Sequence, residues 1–203
     1  MGNRGRFGKY GEVKRLERLR RVGDPKSLSN AEKDAYRPYR SHQIPIRIQM
    51  GGEQDASFIR ELSQILFSEY GEYDNFLPSF LRHKEAHVWI ATYGKKKIGF
   101  IIAAPYEGEL DTSEIVAVAL EPKYQGKGIG KRLLEFALKN LKESNTQAVI
   151  AHVAEGNNAS LRLFLAKGFL PVSVKKAFYR SQDAIMLVKK IKVKGENHEE
   201  NHR

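Results

Sequence analysis

Three glycines at alternate positions mark the segment 124–132, which reads YQGKGIGKR. Gly126, Gly128 and Gly130 follow an apolar stretch and precede a pattern typical of an amphipathic helix. Glycine adopts backbone angles closed to other residues and lets a ligand approach the main chain. A glycine-rich turn that opens a helix presents free amides and the positive end of the helix dipole. This loop is therefore predicted to bind an anion, and the first expectation is a phosphate.

The spacing of the loop argues against two familiar phosphate sites. A P-loop has four residues between its first glycine and the Gly-Lys-Ser/Thr triplet, whereas three separate Gly126 from Gly130. Arg132 also stands where the metal-binding hydroxyl belongs. The dinucleotide fingerprint requires glycine at its sixth place, which is Lys131 here. A nucleoside triphosphatase and a nicotinamide or flavin site are both disfavoured.

Two motifs remain, and they lie in the same register as in a known family. The first is QxxGxG at residues 125–130, after the apolar stretch at 118–120. The second, at residues 157–169, reads NNASLRLFLAKGF. With the order of strands and helices around them, these segments closely resemble the GNAT superfamily of N-acetyltransferases over about residues 42–192.

The resemblance implies the GNAT fold, which is α+β (mixed α/β). About four helices flank a central, mixed and mostly antiparallel sheet of six to seven strands. It also implies acetyl-coenzyme A as co-substrate, with the diphosphate at the amino end of a helix over 128–144. Lys127, Lys131 and Arg132 are expected to add mobile positive charge there. The expected cofactor-binding residues are Val118, Ala119, Leu120, Gln125, Gly126, Lys127, Gly128, Ile129, Gly130, Lys131, Asn157 and Ser160.

Those residues are expected to act in different ways. Main-chain amides at 118–120 would pair with the pantetheine arm and polarise the thioester carbonyl. Asn157 and Ser160 match positions that contact the cofactor in members of the family. Helix capping is the alternative explanation for both residues, and it is compatible with the first.

Acetyl transfer to an amine requires the amine to be neutral. For a lysine-type group this costs about 4.6 kcal/mol at pH 7, so a general base is expected. Glu114 lies eleven residues before Gln125, where histone-type members carry a catalytic glutamate. His152 falls where ribosomal-protein N-terminal acetyltransferases carry a glutamate base. A solvent-facing strand glutamate and a packed strand histidine are the respective alternatives, so the catalytic candidates are Glu114 and His152.

Phe164 departs from the family pattern. Many members have a tyrosine there that returns a proton to the leaving thiolate, and phenylalanine cannot donate. Either another group such as Tyr179 substitutes, or the thiolate leaves with help from solvent, which a thiol pKa of about 8.5 permits. Phe164 itself is expected to be a core aromatic, and Tyr179 is equally explained by packing.

The resemblance places the amine acceptor between the first helices, over 57–81, and a late hairpin, over 174–183. No motif identifies the acceptor. The aromatic residues available to line its site, which core packing also explains, are Phe67, Tyr70, Tyr73, Phe76, Phe80, Phe178 and Tyr179.

The implied function is direct transfer of the acetyl group of acetyl-coenzyme A to a primary amine in a ternary complex. The acceptor is a small molecule or a protein or peptide amine, and the enzyme class is an acyl-coenzyme A N-acyltransferase. The alternative is a non-catalytic acyl-coenzyme A-binding or ribosome- or nucleic-acid-associated module that keeps the coenzyme A site. Phe164 and the basic leader favour that alternative. No metal is implied, and monomer and homodimer are equally expected.

The amino-acid composition excludes several other classes of protein. The 203 residues include no cysteine, which excludes disulfides, thiolate metal sites and a cysteine acyl-enzyme. No apolar stretch is long enough to span a bilayer, and no apolar block resembles a secretory signal. We therefore expect a cytoplasmic protein with no membrane partner.

The formal net charge of +11 is concentrated in the leader. Residues 1–40 hold twelve Lys or Arg against five Asp or Glu. We expect a basic extension over 1–41, partly helical around Val13–Val22 or flexible, then the acetyltransferase domain over 42–192 and a disordered tail over 193–203. Three interpretations of this basic extension remain open. It is a solvated segment without a specific partner, it docks on the domain, or it binds nucleic acid or the ribosome.

Overall fold

The structure, a computed structural model, describes residues 12–18, 44–144, 146–180 and 182–191. The expected tail and most of the expected extension lie outside these residues. Within the described ranges, no helix has both the length and the apolar character needed to cross a bilayer.

A single seven-stranded sheet forms the centre, with the strand order β1-β2-β3-β4-β5-β7-β6. Neighbouring strands are antiparallel except for β4 and β5, which are parallel. The expected mixed, mostly antiparallel sheet is confirmed. The strands are β1 Ile46–Met50, β2 His87–Tyr93, β3 Lys96–Pro105, β4 Thr112–Leu120, β5 Ala148–Ala154, β6 Leu170–Lys175 and β7 Ala184–Lys190.

Five α-helices are described. The sequence predicted that helix α4 starts at Gly128, whereas it begins one residue later, at Ile129. Gly128 adopts a left-handed conformation and is the N-cap residue. The helices are α1 at 12–18, α2 Ala56–Phe67, α3 Tyr73–Phe76, α4 Ile129–Glu143 and α5 Asn158–Leu165, with 3-10 turns at Glu53–Asp55, Leu77–Arg82 and Pro122–Tyr124.

The sheet separates two apolar cores, as its alternating side chains require. On one face, α4 and α5 pack through residues such as Leu133 and Phe164 against Ile101. On the other face, α2 packs through Ile59 against Phe100. Each fully buried large aliphatic side chain contributes about 1.5–3 kcal/mol, so both layers hold the sheet firmly.

Strands β4 and β5 are joined over a short distance. Thr112–Glu114 pair with Ala148–Ile150, and the ladder ends there although β4 continues to Leu120. The two strands diverge beyond this point, so that among the described residues the β5-facing edge of residues 115–120 has no strand partner. This divergence creates the cleft in which the candidate site lies.

Candidate active site

The cleft between β4 and β5 contains a cavity of about 70 Å³. Residues 115–118 of β4 and 152–154 of β5 form two of its walls. Asn157 and Ser160 at the start of α5 close one end, and aromatic side chains from α2, α3 and the late hairpin close the other. Following the expectations from the sequence, we name the side formed by β4 and α5, together with the start of α4 beyond the end of β4, the cofactor side. We name the side formed by the aromatic segments the acceptor side.

A β-bulge shapes the β4 wall. Ala117 pairs with Ile102 and Ile115 with Ala103, so Val116 has no partner on β3. As a result Val116 and Ala117 both pack towards α2, which breaks the alternation of the strand. Bulges bend a strand and disrupt its ladder locally, which turns the main chain of β4 towards the cleft.

Within the part of the chain that the structure describes, no hydrogen bond uses the first main-chain donors of α4. The N-cap residue is Gly128, with φ 75°, and no side chain caps the helix. The first amides of a helix have no acceptor within it, which here concerns Ile129, Gly130 and Lys131. A Cβ atom added at Gly126 or Gly128 would meet no atom within 4 Å, so the surface of the loop is open. This arrangement fits a diphosphate.

Gln125 and Arg132 have structural contacts beside this loop. Gln125 Nε2 donates to the carbonyl of Leu120 at 2.9 Å, which ties the loop to the end of β4. Arg132 donates to the carbonyls of Ile44 and Ile46 at 2.8 and 3.4 Å. The expectation that Arg132 supplies mobile charge is wrong, because its guanidinium is fixed on the main chain before and within β1.

The remaining cations of the loop lie on its exposed side. The ammonium of Lys127 lies 5.7 Å from the ring centroid of Tyr124, and that of Lys123 lies 5.2 Å from it. Lys131 is exposed. These contacts leave both lysines of the predicted site, Lys127 and Lys131, accessible to an anion at the start of α4.

The two candidate bases contact each other across the cleft. His152 Nδ1 lies 2.7 Å from Oε1 of Glu114. Only 6% of the His152 side chain and 25% of the Glu114 side chain are exposed. The Nε2 atom of His152 is buried and has no hydrogen-bond partner among the described residues. The sequence offered these residues as alternatives, whereas the structure makes them a pair.

The late hairpin holds His152 from its other side. The ring of Phe178 stacks on the imidazole, with centroids 4.6 Å apart and planes 17° apart. The hydroxyl of Tyr179 donates to the main-chain carbonyl of His152 at 2.9 Å. The proton of Tyr179 is therefore engaged by the protein. Tyr106, with its ring centroid 6.3 Å from that of His152, completes the surroundings.

Three tyrosines gather on the acceptor side. The ring centroid of Tyr179 lies 5.2 Å from that of Tyr70 and 6.3 Å from that of Tyr73. Burial, followed by a hydrogen bond with Glu69, raises the pKa of Tyr70 to about 12. Burial also raises the pKa of Tyr73 and of Tyr179, and the negative charge of Glu114 adds to both shifts. All three hydroxyls are therefore protonated near neutral pH.

The aromatic residues expected around the acceptor divide into three groups, one of which is Phe178 alone, which stacks on His152 and does not line the cavity. Phe67, Tyr70, Tyr73 and Tyr179 line the cavity. Phe76 and Phe80 instead pack edge to face on each other, with centroids 5.0 Å apart, and do not line it.

Asn157 and Ser160 form a helix cap and Phe164 is a core aromatic, as the structural explanations for them predicted. Asn157 Oδ1 accepts a hydrogen bond from the amide of Ser160 at 3.0 Å, which is a helix cap. Phe164 is buried and packs edge to face against Phe169. All three also line the cavity, and the cofactor contacts of Asn157 and Ser160 stay a prediction.

Two features of the site were missed by sequence reasoning. The bulge at Val116 lies in a continuous apolar run, in which no residue type marks an irregularity. The contact between Glu114 and His152 joins residues 38 positions apart, and the sequence carries no signal for it. The contacts of α1 with the late hairpin, described below, were expected only as one of three alternatives.

Comparisons with known proteins agree with this geometry. The sequence model of the "Acetyltransferase (GNAT) family" matches residues 55–169, more than half of the chain. A mycothiol acetyltransferase of Paenarthrobacter aurescens is 26% identical over 181 residues, which are 81% of this chain and 52% of that protein. The chain spans about half the length of the curated relatives it matches.

Solved structures share the fold. The ribosomal-protein-S18-alanine N-acetyltransferase of Escherichia coli superposes with a TM-score of 0.67 at 22% identity, over 75% of this chain and 98% of that one. The PaiA N-acetyltransferase of Thermoplasma acidophilum, solved in complex with coenzyme A, gives 0.60 at 20% identity, over 72% and 99%. From its family match and this shared architecture, the chain belongs to the GNAT family of acetyltransferases.

Proposed function

We propose that this chain transfers the acetyl group of acetyl-coenzyme A to a primary amine within a ternary complex. One observation carries the proposal. A single cleft holds the unpaired edge of β4 and the hydrogen-bonded pair of Glu114 and His152, and the glycine loop that opens α4 is tied to the end of the same strand. The similar proteins named mycothiol acetyltransferase and ribosomal-protein-S18-alanine N-acetyltransferase support it.

The cofactor side would bind acetyl-coenzyme A largely through main chain. The amides from Gly126 to Lys131 would hold the diphosphate, which gains from the dipole of α4. Gln125 would keep that loop against the end of β4, and residues 118–120 would offer amides to the pantetheine arm. The cofactor supplies an acyl thioester, whose carbonyl carbon is the electrophile.

The acceptor side would remove the proton of the amine. A carboxylate only accepts hydrogen bonds, so the 2.7 Å contact with Glu114 requires the shared proton on Nδ1 of His152. Nε2 then carries the free lone pair. We assign Nε2 as the general base and Glu114 as the group that fixes the tautomer and stabilises the imidazolium, as in other carboxylate–histidine pairs.

The thiolate product would leave without a proton from Phe164 or Tyr179. Phe164 cannot donate a proton, and the proton of Tyr179 is engaged by the carbonyl of His152. A thiol of pKa about 8.5 leaves as a thiolate with solvent assistance. The absence of a tyrosine at position 164 is therefore compatible with turnover.

The test combines binding with turnover. Mass spectrometry of the purified protein would identify any co-purifying acyl-coenzyme A, and calorimetry with acetyl-coenzyme A should show saturable binding. Thiol release would then be followed with polyamines, amino acids, aminoglycosides and peptide N-termini. Binding followed by amine-dependent thiol release supports the proposal. Binding without transfer to any of the amines would instead favour the non-catalytic module, for which the comparisons offer no support.

Cellular location and assembly belong to the same proposal. We propose that the enzyme works in the cytoplasm, as a monomer or a homodimer. Fractionation and the molar mass in solution would test these two points directly.

A further inference from the structure

Helix α1 lies against the edge of the sheet next to the acceptor side. It comes before residues 55–169, the part matched by the family model. Its first contact is with β6, the last strand of the sheet. Oε1 of Glu12 accepts a hydrogen bond from the amide of Val174 at 3.2 Å. Edge strands expose unpaired amides, so this contact satisfies one donor and places α1 beside the hairpin.

Arg15, one turn further along α1, faces two carboxylates. Its Nη1 lies 3.7 Å from Oδ2 of Asp183, and its Nη2 meets Glu155 as an ion-pair contact rather than as an aligned hydrogen bond. Glu155 follows β5, and Asp183 precedes β7. The amide of Glu155 donates to the carbonyl of Asp183 at 3.0 Å. Arg15 therefore contacts the point where these two strands are joined, and 26% of its side chain is exposed.

Asp183 also organises the loop between β6 and β7. Its Oδ1 accepts from the amide of Ala177 at 3.0 Å, and its Oδ2 accepts from Nζ of Lys176 at 2.7 Å. Ala177 has a φ of 49°, a left-handed conformation that is unfavourable for alanine. Hydrogen bonds from Lys176 and then Ala177 hold the pKa of Asp183 below its usual range. The carboxylate thus maintains a strained turn.

This turn presents the two aromatic residues that touch His152. Phe178 stacks on the imidazole, and Tyr179 donates to the main-chain carbonyl. A continuous set of contacts therefore runs from Arg15 through Asp183 and the turn to His152. No residue of α1 lines the cavity.

We propose that Arg15 is a positioning residue, through which α1 fixes the acceptor-side wall of the cleft. The inference deepens the proposed function, on which its kinetic consequence rests. Arg15 and Lys176 together balance the charges of Glu155 and Asp183 where β5 meets β7, and Arg15 is the cation that contacts both carboxylates. Without it, the turn is less restrained, and Phe178 and Tyr179 hold the acceptor site and His152 less closely. The cofactor side lies across the cleft and shares none of these contacts.

The experiment compares Arg15→Ala with Arg18→Ala in the full chain. Arg18 is an exposed residue of the same helix with the same charge, so its variant controls for net charge and for helix propensity. We expect Arg15→Ala to raise the KM for the amine about three- to tenfold, while the Kd for acetyl-coenzyme A stays unchanged. Arg15→Lys, which keeps the charge, should restore part of the loss.

A second readout does not depend on activity. Hydrogen exchange at the amides of Ala177 and Tyr179 should be faster in Arg15→Ala than in Arg18→Ala, and exchange in β3 should be the same in both. Equal exchange at Ala177 and Tyr179 in the two variants would overturn the inference, even if the enzyme is active. A uniform acceleration across the sheet would also overturn it, since Arg15 would then contribute only to stability. Failure of acetyl transfer in wild type would reject the proposed function and leave the exchange result to decide the role of Arg15.

Discussion

The two sides of the cleft are built from different parts of the polypeptide. The cofactor side relies on main-chain groups: the unpaired edge of β4 and the amides that open α4. The acceptor side relies on side chains that come from α2, α3, β4, β5 and the late hairpin, with α1 behind them. A main-chain site constrains a few glycines, whereas a side-chain site constrains the spatial arrangement of many residues.

This difference determines how each side responds to substitution. The donors of the cofactor side remain when most side chains change, provided that the loop keeps its backbone angles. On the acceptor side a single replacement removes a chemical group. We therefore expect chemistry and acceptor recognition to be lost separately from cofactor binding.

The largest effect should come from His152→Ala. Loss of the proposed general base should lower kcat about a hundredfold or more at pH 7, with the Kd for acetyl-coenzyme A unchanged. Glu114→Gln should cost less, about tenfold, because the amide oxygen of glutamine still accepts a hydrogen bond from Nδ1. Steady-state kinetics with an alkylamine acceptor would measure both.

A matched control for this pair is His87→Ala, on β2. That histidine stacks on Trp89 with centroids 5.3 Å apart and does not line the cavity. The His87→Ala variant should therefore leave kcat unchanged. If Glu114→Gln proved more damaging than His152→Ala, the carboxylate would be the base and the imidazole its support.

The next largest effect should come from Gly128→Asp on the cofactor side, which should lower the affinity for acetyl-coenzyme A. Aspartate tolerates the left-handed angles of this position, and its Cβ would enter open space, so the fold should persist. Its negative charge beside the diphosphate should weaken acetyl-coenzyme A binding about thirtyfold by calorimetry.

Gly94→Asp supplies the control for charge and strain. Gly94 also has a positive φ, 58°, and open space around it, but it lies in the turn between β2 and β3. Unchanged affinity in Gly94→Asp and a large loss in Gly128→Asp would sharpen the contrast between the loop and the rest of the surface. Equal losses would show that the diphosphate does not bind at the start of α4.

The smallest effect concerns pH and the tyrosines of the acceptor side. The folded-state pKa of Tyr70, about 12, lies above the value of about 10 for an unfolded tyrosine. The folded state therefore favours the protonated form, and its stabilisation is complete below pH 10 and lost as the pH rises towards 12. Tyr73 and Tyr179 contribute with the same sign.

Thermal unfolding would measure this dependence. Between pH 8 and pH 11 the melting temperature of the wild type should fall, and Tyr70→Phe should remove part of the decrease because phenylalanine does not ionise. An identical decrease in wild type and variant would mean that Tyr70 is not buried as described.

The fold and the backbone geometry of the glycine loop were largely accessible from the sequence. Gly126 and Gly128 have the positive φ angles that glycine permits, and the strand and helix patterns were regular enough to place the sheet. Arg132 was misassigned because a cation near a phosphate loop has no sequence feature that reveals a partner 88 residues away.

The acceptor side was less accessible for a physical reason. The pairing of Glu114 with His152 depends on how two parallel strands diverge, and that divergence is a property of the whole sheet. The aromatic residues were identified as candidates, yet nothing in their spacing separates Tyr73, which lines the cavity, from Phe76, which does not. Long-range contacts of this kind depend on the tertiary structure, and no local sequence pattern indicates them.

The short ladder between β4 and β5 has a consequence for how the chain folds. Strands β1 to β4 form successive antiparallel neighbours, whereas β5, β6 and β7 pair only with one another apart from that ladder. Within these groups, β2, β3 and β4 and the pair of β6 and β7 are joined by short loops, whereas residues 121–147 separate β4 from β5. Non-local pairings form slowly because loop closure costs entropy. We expect the hairpins of β2, β3 and β4 and of β6 and β7 to form before the three residue pairs that join β4 to β5, so that the cleft between these two strands takes shape late in folding.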